Sequence, residues 1–418
     1  MVRSAPMRMA AVVVFAMMAA GGVRTQDRSA PGGDARLQAA LDAVEKTEPA
    51  TIDAQVRLCE VPAPPFGEGA RAAVVREMLR SAGLKNVRLD RAGNVVGERP
   101  GRSPRPNVVL AAHIDTVFPE GTDLKVTRSG AVLSGPGIGD NCRGLAVLAA
   151  VARALETAGV ETNGSLTFVA TVGEEGLGDL RGVKALFAET LKGRVDYFVA
   201  LDGSGSSITN VGVGSRRYRA TFRGRGGHSY NNFGRASPVN ALGRAIARIS
   251  DIQVPSAPRT TFNVGRIGGG TAVNAIPEEA WLEVDLRSAD QAALEQLDRS
   301  FQQTLRQAAA AENTRWKQNG AVTVTIERVG DRPGGRTDER SPIVEAALEA
   351  SKAVKLPARL VENSTDANVP MQLGIPAISI AAGGSGTNTH SLAETFDSTD
   401  SVRGTARALL LTIALSRR

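Results

Sequence analysis

The chain has 418 residues, 42% of them hydrophobic and only 4% aromatic, which is long enough for two domains with sizeable cores. Its formal net charge is +7. The basic residues are scattered, with no long like-charged run and no interleaved aromatic stripe, and this argues against nucleic acid as a partner. No stretch after the N-terminus approaches the length of about eighteen apolar residues that reads as a membrane span.

Arg3 and Arg8 precede an apolar run from Met9 to Ala20, followed by Gly21, Gly22 and a polar stretch. This is the layout of a secretory signal peptide over residues 1–22, and the run is short for a permanent anchor. The reading implies a secreted or periplasmic protein. Cys59 and Cys142 then form either one disulfide or two buried thiols, and both readings stay open. Residues 23–36 read as a polar leader and residues 36–58 as a helix, with Leu37, Leu41 and Val44 on one face. The prolines of residues 59–68 break it. A second helix runs to Ser81 and stops at Gly83. Short strands are expected at 87–89 and 94–97.

The next strand, from Val108, ends in His113-Ile114-Asp115-Thr116. Side chains alternate along a strand, so His113 and Asp115 share a side. That suits a metal-bound imidazole whose second nitrogen is held by a carboxylate. A glycine-rich loop, residues 135–144, opens an Ala/Leu/Val helix that ends near Ala158. It fails the dinucleotide fingerprint: the third glycine position falls on Cys142 or on Asp140, which sets aside a nicotinamide oxidoreductase. Read locally, Asp140 is a helix N-cap. Strand 166–172 ends in Gly173-Glu174-Glu175-Gly176, a helix follows at 180–190, and strand 197–201 ends in Asp202-Gly203. Three apolar strands thus deliver histidine or acids at their C-terminal ends, the edge where open α/β sheets place ligands.

From Gly214 the pattern changes. Strand 217–223, the turn Gly226-Gly227-His228-Ser229, helix 238–249, strands 260–267 and 280–286, helix 290–312 and strand 322–329 make a ferredoxin-like split unit. It reads as an insertion, residues 214–329, between catalytic segments 23–213 and 330–418. The α/β pattern resumes with helix 342–354, apolar run 377–381, a polar loop ending at His390, and helix 402–415. The chain has only three histidines, His113, His228 and His390, each at the end of an apolar run. Two of them with Asp140, Glu175 and Asp202 would suit paired zinc ions sharing one carboxylate. Glu174 would stand beside them as a base.

His113-x-Asp115-Thr116, the glycine-rich loop with Asp140, Glu174-Glu175, Asp202 and a late His390 together resemble the co-catalytic di-zinc exopeptidase and deacylase family. That family includes peptidase T, acetylornithine deacetylase, succinyl-diaminopimelate desuccinylase, aminoacylase and glutamate carboxypeptidase. Glu-Glu-Gly and Ser364-Thr365-Asp366-Ala367-Asn368 lean towards its peptidase T side. The resemblance implies a three-layer α/β catalytic domain with an inserted ferredoxin-like lid that dimerises. It implies two zinc ions per chain, with cobalt or manganese as substitutes. His113 and Asp202 would hold one ion, Glu175 and His390 the other, and Asp140 would bridge. Asp115 would orient His113, and Glu174 would be the general base. His228 would be lent by the lid to the partner subunit's site, while Asn274 and Arg287 would touch substrate. A cis peptide is implied between Asp140 and Asn141. The implied activity is hydrolysis of peptide bonds or of N-acyl amino acids. A catalytically silent, metal-binding relative is the alternative. The sequence departs from the family at Asn141 and Cys142, where a second acid and a lysine are common.

Overall fold

The computed structural model describes residues 31–417. The signal peptide read over residues 1–22 lies outside them. The chain divides into two compact units. The first comprises the chain up to Asn210, Thr337–Val361 and the chain from Thr365, and the second comprises Val211–Arg336 and Glu362–Ser364.

The first unit is built on one mixed sheet. From one edge its strands run Lys85–Leu89, Val95–Arg99, Leu166–Thr171, Val108–His113, Tyr197–Leu201, Ala377–Ile380 and Ile208–Gly212. The four strands from Leu166–Thr171 to Ala377–Ile380 are mutually parallel, so their C-terminal ends share one edge. They are apolar on both faces because both faces are covered. Leu110, Ala112, Phe168 and Ala170 pack with the helices Pro31–Cys59, Gly69–Ser81, Cys142–Thr157, Pro342–Ala353 and Val402–Ser416. Their alternates Val109, Ala111, Val169 and Phe198 pack against Leu180, Val183, Leu186 and Met371 on the other side. The period of two along each strand thus sorts one sequence between two cores. Among the described residues, no helix is long and apolar enough to cross a membrane.

Two local expectations are corrected, and one open alternative is decided. The first helix begins at Pro31 rather than Arg36, because a proline at the first helical position has no N–H to leave unpaired. The helix read over 180–190 is α-helical only at Arg181–Ala185. It then widens at Leu186–Thr190, where the Leu191 N–H reaches Leu186 O at 2.7 Å. Cys59 and Cys142 are joined by a disulfide, with Cα atoms 5.6 Å apart. Closing a loop of 83 residues is worth about 4–5 kcal/mol in a chain-entropy account.

The second unit has the strand–helix–strand–strand–helix–strand order read from the sequence. Its sheet runs Thr260–Gly269, Glu279–Ser288, Gly214–Arg223, Thr323–Arg332, all antiparallel, as the split unit requires. Tyr218, Ala220, Phe222, Leu282, Val284 and Leu286 face Leu242, Ile249, Phe301 and Leu305 of helices Pro238–Ser250 and Gln291–Arg315. Their alternates include charged residues paired across strands. Arg217 Nε lies 3.2 Å from Asp285, and Arg219 lies 2.7 Å from Glu283.

Candidate metal centre

The parallel strands deliver three ligand candidates to one edge. His113 is the last residue of its strand, Glu174 and Glu175 follow Leu166–Thr171, and Asp202 follows Tyr197–Leu201. A second, smaller sheet brings the rest. Its strands run Ser385–Thr387, Thr395–Asp397, Val132–Ser134, Thr127–Ser129. Val132–Ser134 leads into the glycine-rich loop that carries Asp140. The hairpin Ser385–Thr387/Thr395–Asp397 carries His390 in its connection, in the left-handed region at φ 66°. Pairing of Thr395 with Ser134 ties the His390 hairpin to the strand before the Asp140 loop.

Three donor groupings result among the described residues: one joins Glu174 to His113 and Glu175, and the other two share one residue. His113, Asp140 and Asp202 form the first of those two; Asp140, Glu175 and His390 form the second. His113 Nε2 is 3.0 Å from Asp140 Oδ1 and 3.7 Å from Asp202 Oδ1. His390 Nε2 is 3.2 Å from Asp140 Oδ2 and 2.9 Å from Glu175 Oε1. Each oxygen of Asp140 therefore faces a different imidazole. Tetrahedral zinc with bonds near 2.0–2.1 Å separates its donors by roughly 3.3 Å, and these spacings bracket that value. Two imidazoles with carboxylates are also the right chemistry for zinc, so the residues fit a metal pair.

The supporting contacts differ from the sequence expectation in two places. The strand ends at His113, so alternation does not carry on to Asp115. His113 Nδ1 donates to the Asp115 main-chain carbonyl at 3.1 Å, while the Asp115 carboxylate stands 3.9 Å off. That carboxylate instead accepts the backbone N–H groups of Glu174 (2.9 Å) and Glu175 (2.7 Å). Asp115 thus holds the base candidate and a ligand, and orients His113 through its backbone. Asn141, not Asp140, caps the next helix. Its Oδ1 accepts from Gly144 N and its Nδ2 donates to Leu201 O, leaving both Asp140 oxygens for the clusters. The Asp140–Asn141 peptide is cis.

Three contributors were not read as site residues from the sequence, although Asp366 lies in the stretch that leans towards peptidase T. Glu394 is buried, and its carboxylate accepts N–H groups from Gly137, Gly139 and Asp140 at 2.8–3.1 Å. Arg71 is buried and donates to Val61 O and Ile114 O. Burial lowers its pKa to about 10, with the Asp115 charge opposing. Asp366 is buried and accepts from Thr171 Oγ1. Burial raises its pKa to about 6 against that hydrogen bond. Glu394 and Asp366 stand in polar stretches where an acid ordinarily reads as solvated, and only the packed structure shows them buried.

His228, Asn274 and Arg287 belong to the second unit. His228 Nδ1 accepts the backbone N–H groups of Tyr230 (3.2 Å) and Asn231 (3.4 Å). With Nδ1 accepting, Nε2 is the ring nitrogen that can donate. Asn274 is brought to the same turn, its carbonyl accepting from Ser229 N. Arg287 Nε lies 2.6 Å from Asp285.

Burial alone would lower the His113 pKa, but Asp140 and Asp202 outweigh it and hold it well above the ordinary range. Asp140 and Glu175 raise His390 from 6.5 to about 10. The neighbouring carboxylates thus favour the protonated form of both imidazoles in the metal-free protein, and a metal has to displace those protons. The same raised pKa stabilises the metal-free fold fully below pH 6.5, and that contribution is lost as pH rises through about 10. We expect zinc uptake at pH 7 to release protons and zinc affinity to rise between pH 6 and 8. Calorimetry in buffers of different ionisation enthalpy checks this. A pH-independent affinity would mean that the histidines hold no such protons.

The model of Peptidase family M20/M25/M40 matches residues 109–414, a span that takes in every ligand candidate named above. The chain belongs to this family. Succinyl-diaminopimelate desuccinylase of Corynebacterium glutamicum is 24% identical over 334 residues, 78% of this chain and 86% of that protein. A tripeptidase from Staphylococcus aureus superposes with a TM-score of 0.73 at 22% identity, covering 88% of this chain and 98% of its own. The YXEP protein of Bacillus subtilis, described as a dinuclear metal binding peptidase, superposes at 0.66 with 17% identity, covering 88% and 98%. This M20 chain is therefore a hydrolase of amide bonds in small peptides or acyl amides, with the family's α/β fold and a metal-ligand cluster.

Proposed function

We propose that this M20 protein is an exported di-zinc exopeptidase of small peptides. The observation that carries the reading is the pair of donor clusters sharing Asp140, with the buried Glu174 carboxyl group beside His113 and Glu175. His113 and Asp202 would hold one zinc, Glu175 and His390 the other, and Asp140 would bridge them. Bound zinc supplies Lewis acidity and eases deprotonation of water. Glu174 takes a proton from the attacking water and returns it to the leaving amine nitrogen, so the amide and water leave as acid and amine. Arg287 offers a bidentate fork to the substrate's carboxylate end, with Asn274 beside the His228 turn. His228 Nε2–H donates to the oxyanion on the attacked carbonyl, lent by the lid of one subunit to the other. Tyr230, 85% exposed beside His228, and Val273, fully exposed beside Asn274, are an apolar surface suited to covering in a dimer. The disulfide supports export to an oxidising compartment.

N-acyl amino acids are the second substrate reading, favoured by the desuccinylase relative. A silent relative is disfavoured, since the ligand set and the base are both present. Metal analysis with a mass-spectrometric screen of the zinc-loaded protein against di- and tripeptides and N-acyl amino acids tests the reading. Two zinc ions and peptide turnover are expected. Acyl-amide turnover alone would select the deacylase reading, and absence of both metal and turnover would sink the proposal. Amidating a good substrate should lower kcat/KM strongly in wild type but not in Arg287→Ala. An equal loss in both would remove Arg287 from the site.

A further inference from the structure

Asp140 sits in a loop, residues 135–141, with glycine at 135, 137 and 139. Such a backbone has little conformational preference of its own. Yet its carboxylate meets two imidazoles at once, at 3.0 and 3.2 Å, and sites of this kind tolerate displacements of only about 0.5 Å. Something outside the loop must fix it.

Besides the Asn141 Nδ2 contact to Leu201 O at 2.8 Å, two anchors are present. From the His390 side, the Glu394 carboxylate takes three loop N–H groups. From the other side comes the helix Pro31–Cys59. Gln55 Nε2 donates to Ile138 O at 2.7 Å, and Cys59, the helix's last residue, is bonded to Cys142. Cys142 is the first residue of the next helix, two positions beyond Asp140, and its own N–H donates to Gly137 O at 3.3 Å. Cys59 Sγ lies 3.1 Å from that same carbonyl oxygen, a packing contact, since a disulfide sulfur has no hydrogen to donate. Both cysteines are fully buried. Glu394 therefore holds the tip of the loop, and the disulfide fixes its base.

We infer that the Cys59–Cys142 disulfide is a positioning element of the metal centre, beyond its contribution to global stability. It fixes where the loop leaves the helix, so that both oxygens of Asp140 reach their partners together. The inference rests on the reading of Asp140 as the bridging ligand.

The test uses the full chain with Cys59→Ala and Cys142→Ala together, since alanine adds neither a metal donor nor a buried hydroxyl. Zinc titration of the metal-free protein by calorimetry, well below Tm, reads affinity. Hydrogen exchange reads the Gly137, Gly139 and Asp140 amides. We expect zinc affinity to fall at least tenfold and exchange at these amides to quicken at least tenfold. A Tm-matched control, Val344→Ala in the helix Pro342–Ala353, should keep wild-type zinc affinity. If the alanine pair does not fold, Cys59→Val with Cys142→Ala refills the volume and carries the same readouts. A folded variant with a lowered Tm and wild-type zinc affinity would overturn the positioning role alone. A wild-type protein that takes up no zinc would overturn both this inference and the di-zinc reading beneath it.

Discussion

Glu174→Gln should keep both metal ions and lose about 10³-fold in kcat. The side chain is buried, and its backbone N–H is held by Asp115 Oδ1 at 2.9 Å. The neighbouring Glu175 N–H is held by the other oxygen of the same carboxylate. Two consecutive acids are thereby pinned at one strand end, and they take different tasks. Glu175 Oε1 faces His390 Nε2 at 2.9 Å and completes a cluster with Asp140. Glu174 is grouped with His113 and Glu175, one member of each cluster, and the proposed reading makes it the base. Glutamine keeps the shape and removes the proton acceptor, and a positioned base is worth 10²–10⁴-fold. Metal content separates base from ligand: a ligand's loss would empty a site, and a base's loss would not. If turnover stays within tenfold of wild type, about 1.4 kcal/mol in the barrier, Glu174 is not the base.

His228→Ala should fold, retain both metal ions and lose about 10²–10³ in kcat, the usual cost of removing one oxyanion donor. The two backbone N–H groups aimed at Nδ1 leave Nε2–H as the donor, so glutamine or asparagine should rescue only in part. The stronger expectation concerns subunits. When inactive Glu174→Gln and His228→Ala proteins are mixed and allowed to exchange, a hybrid dimer contains one site with Glu174 from its own chain and His228 from its partner. Activity should reappear, approaching one wild-type site per hybrid, half that of a wild-type dimer. If each site used its own chain's histidine, every hybrid site would lack one group. A mixture that stays inactive, with hybrids confirmed by native mass spectrometry, would leave His228 only a local role in its turn.

The periodicities of the chain determine its elements. Apolar strands ending in His113, Glu174-Glu175 and Asp202 were legible because strand alternation and C-terminal polarity are properties of consecutive residues. The split α+β order of the second unit was legible for the same reason. The candidate ligand set was legible through the resemblance of its His, Asp and Glu motifs to those of a known family. Other features required the folded chain. Asp115 holds Glu174 and Glu175, rather than pairing directly with His113, because the strand stops at His113, two residues before Asp115. Asn141 caps the helix, so Asp140 is released to face two imidazoles. Glu394 reads as one more surface acid until its carboxylate is seen to close on loop amides 254–257 positions away. Cys59 and Cys142 were compatible with free thiols until the helix end and the helix start met. Thr395 pairs with Ser134, joining the hairpin that carries His390 to the strand that leads to Asp140. Each of these rests on backbone groups or buried charges that satisfy one another across long separations. Such groups are chemically alike at every position, so only packing selects which of them meet.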